Sequence, residues 1–190
     1  MLDQLRSTGA IKRGHFLLSS GKHSDQYVEK FDLLRNPVAT SRALRGLADR
    51  LDDADINVVV GPTTGGILLA FELGRLLGSP TAYAERVDDG STRREFRRGT
   101  TFDEGARVLV IDDILTTGGS IRETLNALAA YPVTIVGVAV LVDRSGGSVA
   151  FGDLPIHPIA SLTIETWPAA DCPLCAAGVP VVKPGTTAVV

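Results

Sequence analysis

Val108-Leu109-Val110-Ile111-Asp112-Asp113-Ile114-Leu115-Thr116-Thr117-Gly118-Gly119-Ser120 reads as an apolar strand that ends in two adjacent carboxylates. A turn of small and hydroxylated residues follows, and then a helix. In open α/β sheets, ligands bind beyond the carboxyl ends of strands. Small residues let the backbone approach a ligand closely. The N–H groups of the turn, with the N-terminus of the following helix, form an anion cradle. The hydroxyls of Thr116, Thr117 and Ser120 add donors, and Gly118 and Gly119 supply the tight path. Two acids beside an anion cradle conflict unless the ligand carries both a phosphate and hydrogen-bond donors. A ribose 5-phosphate carries both, with its diol facing Asp112 and Asp113 and its phosphate in residues 116–120. No Gly-x-x-x-x-Gly-Lys-Ser/Thr loop is present, and no Gly-x-Gly-x-x-Gly turn follows the first strand.

Working outward, apolar runs alternate with helical patterns. Strands are expected at 56–60, 81–84, 107–111 and 133–142, with residues 156–166 open to one more. A helix is expected from Asn36-Pro37, where Asn caps and Pro suits the first position, with Ala43, Leu44, Leu47, Ala48 and Leu51 at helical spacing. Further helices are expected at 65–77, stopped near Gly78 and Pro80, and at 120–130. Unbroken apolar strands between helices predict a parallel sheet covered on both faces. Residues 14–24 read as a glycine-bounded hairpin. Between Arg86 and Gly105 the apolar pattern lapses into acids and glycine, then Arg93, Arg94, Arg97 and Arg98, and such a long connection is expected to be a mobile lid. The Pro-, Ala- and Val-rich tail from Trp167 is expected to wrap the surface.

The chain has 190 residues, 44% hydrophobic and 22% charged, enough for one core. Nineteen basic against 22 acidic residues give a net charge of -3, and aromatics are only 5%. This balance argues against a nucleic-acid partner. No apolar run reaches bilayer length, and the N-terminus lacks a secretory stretch, so no membrane partner and a cytoplasmic location are expected. Cys172 and Cys175 form a single Cys-x-x-Cys. A zinc site would need two more ligands, and the histidines are His15, His23 and His157. A structural tail with reduced thiols is the preferred reading, with no protein-held metal. His15 and His23 read as packing or surface residues.

The acid pair with its Thr/Gly turn closely resembles the 5-phosphoribosyl-1-pyrophosphate (PRPP) motif of type I phosphoribosyltransferases. Gly61-Pro62-Thr63-Thr64-Gly65-Gly66, one strand–helix unit earlier, resembles the pyrophosphate loop of that family. Gly14-His15-Phe16-Leu17-Leu18-Ser19-Ser20-Gly21-Lys22-His23-Ser24-Asp25-Gln26-Tyr27 is similar to the opening of orotate phosphoribosyltransferases, and Asp143-Arg144 matches their Asp-Arg. The resemblance covers roughly residues 8–165. It implies a type I phosphoribosyltransferase-like parallel sheet with helices on both faces and a small N-terminal base-binding hood. Within one domain, residues 1–36 would form the hood, 37–166 the α/β core and 167–190 the tail.

The implied reaction moves ribose 5-phosphate from PRPP to orotate, with pyrophosphate leaving and Mg²⁺ as cofactor. Asp112 and Asp113 would bind the ribose hydroxyls, residues 116–120 the phosphate, and Thr63, Thr64 and Gly65 the pyrophosphate. Arg144 would grip the base through its planar fork, or else form an ion pair with Asp143 or another acid. Tyr27 would line the base pocket or sit at a core rim. Lys22 would reach a phosphate or the base across a homodimer interface, or stay a solvated turn residue. Arg86, at a strand end, is the basic residue expected to act on the diphosphate; each of Arg93 to Arg98 reads first as a solvated loop residue. Many orotate enzymes carry Lys where this chain has Ser19 and Gly65, and their mobile loop carries Lys and His where this one carries arginines. A phosphoribosyltransferase for another heterocycle, and a non-catalytic PRPP-sensing regulator, are therefore alternatives.

Overall fold

The computed structural model describes residues 9–18 and 20–184. Ser19, one of the positions singled out above, lies outside the described residues. Strands β1 (Ile11–Leu17) and β2 (His23–Val28) pair antiparallel as the expected hairpin and form a small sheet of their own. Two helices follow. In α1 (Lys30–Leu34), the Glu29 carboxylate accepts from the Phe31 N–H; in α2 (Pro37–Leu51), Asn36 Oδ1 accepts from the Ala39 N–H at 3.1 Å. The Asn-Pro signal works because the cap satisfies a donor that the first turn leaves orphaned, while Pro37 has none to satisfy.

The rest of the chain builds one sheet. Its elements are β3 (Val58–Pro62), α3 (Gly65–Leu77), β4 (Thr81–Arg86), β5 (Arg94–Glu95), β6 (Arg107–Leu115), α4 (Gly119–Leu128), β7 (Thr134–Asp143), β8 (Ile156–Ser161) and α5 (Pro173–Ala176). The order is β5-β4-β3-β6-β7-β8, and every neighbouring pair is parallel except β4 with β5. The apolar runs are unbroken because both faces are covered. On one face Val59, Leu109, Ile111 and Leu141 pack with Leu44 and Leu47 of α2 and Leu69 and Leu73 of α3. On the other, Val60, Val108, Val110 and Val140 pack with Ile121 and Leu128 of α4. Consequently the carboxyl ends of β3 and β6 lie side by side, each followed by a turn and a helix.

Three elements differ from the sequence expectation. Strand β6 does not stop at Ile111. It continues through both acids to Leu115, because Asp112 and Ile114 stay in register with Val140 and Val142 of β7. The tail does not merely wrap the surface. His23 and Trp167 exchange backbone hydrogen bonds at 2.8 and 2.9 Å, and Val182 bonds to His15 and Leu17, so residues 167–182 run against the hairpin.

The third difference is the 86–105 connection, which is docked. Phe96, Phe102 and Tyr131 stack edge to face with ring centroids 4.9–5.5 Å apart, and β5 pairs with β4. Arg94 is buried rather than solvated. Its guanidinium reaches Glu123 Oε2 at 3.0 Å, Thr63 Oγ1 at 3.0 Å and the Ala84 carbonyl at 3.1 Å. A planar fork with five donors can tie a strand, a turn and a helix together in this way. Arg94→Ala would leave Glu123 with only Arg86, 3.9 Å away. Losing one partner of a buried ion pair costs about 3 kcal/mol. We expect a fall of that size in unfolding free energy, read from the urea midpoint; an unchanged midpoint would show that Arg94 carries no load.

Candidate active site

Two carboxylates sit inside a strand, where successive side chains point to opposite faces. Asp112 and Asp113 are both buried. Asp112 turns toward α4, accepting from the Ser120 hydroxyl and, at 2.8 Å, from the Asp113 N–H. Asp113 turns toward the hairpin side, where Lys30 Nζ lies 2.6 Å from its Oδ2. Burial, and then the Asp113 charge, push the Asp112 carboxyl up to about 6, opposed by the Ser120 hydroxyl, the Asp113 amide and Lys30. Like charges so close cannot both ionise freely in a low-dielectric site.

Next to Asp113, a Cβ on Gly65 would collide with Asp113 Oδ2. That collision favours glycine here, where the resemblance led to an expectation of lysine, and Lys30 is the cation that meets the same Asp113 oxygen. Lys30 escaped the sequence reading. It is a single lysine at the start of a five-residue helix, and no local signal connects it to a strand 83 residues later.

Both helices that open at this end lack a side-chain cap. The N-cap of α4 is Gly118 in the left-handed conformation, φ 77°, where a Cβ would also strike Phe151. Among the described residues, no hydrogen bond uses the main-chain N–H of residues 116–120. Thr116 and Thr117 are exposed, and Arg122 steadies the turn by donating to the Thr117 carbonyl. At the start of α3, Thr64 likewise provides no side-chain cap. Thr63 is held by its N–H to Ala84 and by Arg94, and the Gly61–Gly66 turn is so tight that a Cβ on either glycine meets backbone or Pro62. The contrast with the capped α1 and α2 is chemical: donors satisfied internally in one pair of helices are left for an anion in the other.

On the hairpin side, Tyr27 of β2 is half-buried against the Phe16 ring, and burial raises its phenol. The charges of Glu29, Lys30 and Arg144 act on it. Arg144 follows β7. Burial pulls its guanidinium down, its Nε is buried without a hydrogen-bond partner, and no carboxylate pairs with it among the described residues. The Asp143 carboxylate accepts instead from the Ser145 N–H at 2.8 Å. Lys22 is exposed in the hairpin turn. Arg86 ends β4 with its side chain 60% exposed, beside Glu123. A cleft of about 560 Å³ lies between residues 91–96 and α4; it shares Arg94 and Glu123 with this region and none of the Thr/Gly turn.

A second group assembles away from the sheet. His15, His23, Cys172 and Cys175 present ligand atoms within 4.8 Å of one another. The sequence offered only the Cys-x-x-Cys half of this group. Its histidines come from the hairpin, 157 residues away in the case of His15 and Cys172.

A family model, phosphoribosyl transferase domain, matches residues 33–150. The chain is 43% identical to the orotate phosphoribosyltransferase of Caldicellulosiruptor saccharolyticus, over 97% of this chain and 95% of that protein. It is 44% identical to the orotate phosphoribosyltransferase of Carboxydothermus hydrogenoformans, over 93% and 92%. The crystal structure of orotate phosphoribosyltransferase from Aeropyrum pernix superposes with a TM-score of 0.73 at 33% identity, covering 85% of this chain and 94% of that one.

The raised Asp112 carboxyl makes a stability prediction. A carboxyl whose pKa is higher folded than unfolded favours the fold most when protonated. That contribution is complete below the ordinary value of 3.8 and is lost as pH rises through about 6. Asp112→Asn is therefore expected to be more stable than wild type above about pH 7, by roughly 3 kcal/mol, with the advantage gone near pH 4. Urea unfolding at both pH values measures it; a pH-independent difference would contradict the assignment.

Proposed function

The chain belongs to the phosphoribosyl transferase domain family, among its orotate phosphoribosyltransferases, and from that premise we propose how its residues divide the work. It transfers ribose 5-phosphate from PRPP to a ring nitrogen of orotate, giving orotidine 5′-monophosphate and pyrophosphate. The observation that carries the assignment of roles is the set of unengaged amides at 116–120, directly after two buried carboxylates.

The amides and hydroxyls of Thr116, Thr117, Gly118, Gly119 and Ser120 take the 5-phosphate, which needs donors and finds them already oriented. Asp112 and Asp113 accept from the ribose hydroxyls, and their charge favours the cationic character that develops at the anomeric carbon as pyrophosphate departs. Lys30 holds Asp113 in place through the 2.6 Å contact. The amides at Gly65 and Gly66, with Thr63 and Thr64, face the pyrophosphate, and Arg86 offsets its charge. Arg144 has a buried Nε in need of an acceptor, which a carboxylate or ring carbonyl of orotate provides. Tyr27 borders that ring, and Lys22 stands at the hairpin turn as an outer cation.

Type I phosphoribosyltransferases generally depend on Mg²⁺ carried with PRPP. Two adjacent carboxylates are hard-oxygen donors that suit Mg²⁺ through water, so Asp112 and Asp113 fit it without a full protein cage. Such an ion would neutralise charge on the diphosphate. The proposal includes a cytoplasmic homodimer without nucleic-acid or membrane partners; no described helix is long and apolar enough to cross a membrane. Support for the dimer is an apolar patch: Val38, Leu68 and Phe71 are 67%, 44% and 65% exposed on α2 and α3.

Replacing Asp112 and Asp113 together by Asn is expected to cut turnover of PRPP with orotate by at least about 100-fold, since two transition-state interactions are lost. Circular dichroism should be unchanged. Pyrophosphate release measured across a panel of bases tests this, and wild-type rates in the variant would refute the roles. By sedimentation, the wild type should weigh twice the 20.0 kDa chain and Phe71→Asp should weigh one chain. A wild-type monomer would remove the dimer.

A further inference from the structure

We propose that His15, His23, Cys172 and Cys175 bind one structural zinc ion, through His15 Nε2, His23 Nδ1 and the two cysteine thiolates.

The fold builds this site from two distant pieces. The hairpin register is interrupted between Arg13 and Phe16, and there His15 comes beside His23, their rings edge to face with centroids 4.8 Å apart. The backbone ladder between His23 and Trp167 then brings the tail across this pair. Cys172 caps α5 and Cys175 sits within it.

The distances suit a tetrahedral ion. Around zinc, with Zn–N near 2.0–2.1 Å and Zn–S near 2.3 Å, ligand atoms sit roughly 3.3–3.8 Å apart. Here the sulfur–nitrogen separations are 3.3 Å for Cys175 to His23, 3.5 Å for Cys172 to His15 and 3.7 Å for Cys175 to His15. The two ring nitrogens are 2.8 Å apart and need to open by about half an ångström, while the four ligand atoms, spread within 4.8 Å, need to draw in on the wide side.

The surroundings prepare the ligands. His15 Nδ1 is 2.7 Å from the Val179 carbonyl, which can only accept. Nδ1 therefore carries the proton, and Nε2 turns its lone pair toward the cluster. Donation from the second ring nitrogen to a carbonyl is the usual support of a metal-bound histidine. His15, His23 and Cys172 are buried, whereas Cys175 is exposed and leaves a way in. Two thiolates and two imidazoles select zinc over magnesium or calcium, which take oxygen. Four protein ligands close the shell, so the ion is structural and takes no part in the transfer chemistry. On binding, each thiol gives its proton to solvent, and both sulfurs stay reduced.

Such an ion fastens residues 167–182 onto the hairpin that carries Lys22 and Tyr27. Zinc would thus hold the base side of the active site while the sheet supports the phosphate side.

The test is elemental analysis of the full chain, purified without chelator under reducing conditions. About one zinc per chain is expected, and Co²⁺ in its place should give the visible absorption of a tetrahedral thiolate site. Cys172→Ser with Cys175→Ser should lose the metal, and His157→Ala, which alters the histidine outside the cluster, should keep it. Should the double variant fail to fold, release of zinc from wild type by a thiol-specific mercurial gives the same reading. Reduced protein that takes up neither Zn²⁺ nor Co²⁺ would overturn the proposal. So would a Cys172–Cys175 disulfide in metal-free protein, or a double variant that retains zinc.

Discussion

Two carboxyl groups buried side by side in a central strand are the constraint around which this molecule is arranged. Water cannot solvate them, so the protein must. The pleat of β6 sends one carboxylate to each face, and each meets a different solution: a hydroxyl and a backbone amide for Asp112, an ammonium for Asp113. Gly65 follows from the same demand, because any side chain there would take the place of the Asp113 oxygen. The hairpin and α1 are needed to bring Lys30 in from outside the sheet. The site is thus less an addition to the fold than the reason why its outlying pieces sit where they do.

The two faces of the sheet divide the task. In the proposed division of roles, the α4 face, through Ser120 and the Gly118 turn, takes the phosphate end of the substrate, and its geometry is local to one strand–turn–helix unit. The hairpin face, through Lys30, Tyr27 and Arg144, is assembled from three distant segments. Arg94 joins the regions at the far side by pinning the 86–105 connection to the end of β3 and to α4. That leaves Arg86, Arg93, Arg97 and Arg98 as the outward cations of this connection, each already beside an acid.

What was legible in the sequence was what is local. Apolar runs of strand length, an Asn-Pro helix start and an acid pair followed by a Thr/Gly turn each carry their physics within a dozen residues, and they yielded the parallel sheet and the cradle. Features that depend on distant partners were not legible. Lys30 gains its meaning from Asp113, Arg94 from Glu123 and Thr63, and the two hairpin histidines from a Cys-x-x-Cys near the other end of the chain. The extension of β6 through Asp112 and Asp113 was missed for a related reason. Charged residues fit a buried strand only once the β7 register and the partners around them are in place.

A ribbon of only two strands has little independent stability in water. β1 and β2 form such a ribbon, and residues 167 and 182 supply its outer hydrogen bonds. Trimming the chain after the last sheet strand would therefore leave unpaired amides and carbonyls facing solvent, a template for intermolecular β-pairing and aggregation. Shortened versions would expose that edge and, with it, loosen the hairpin that carries Tyr27.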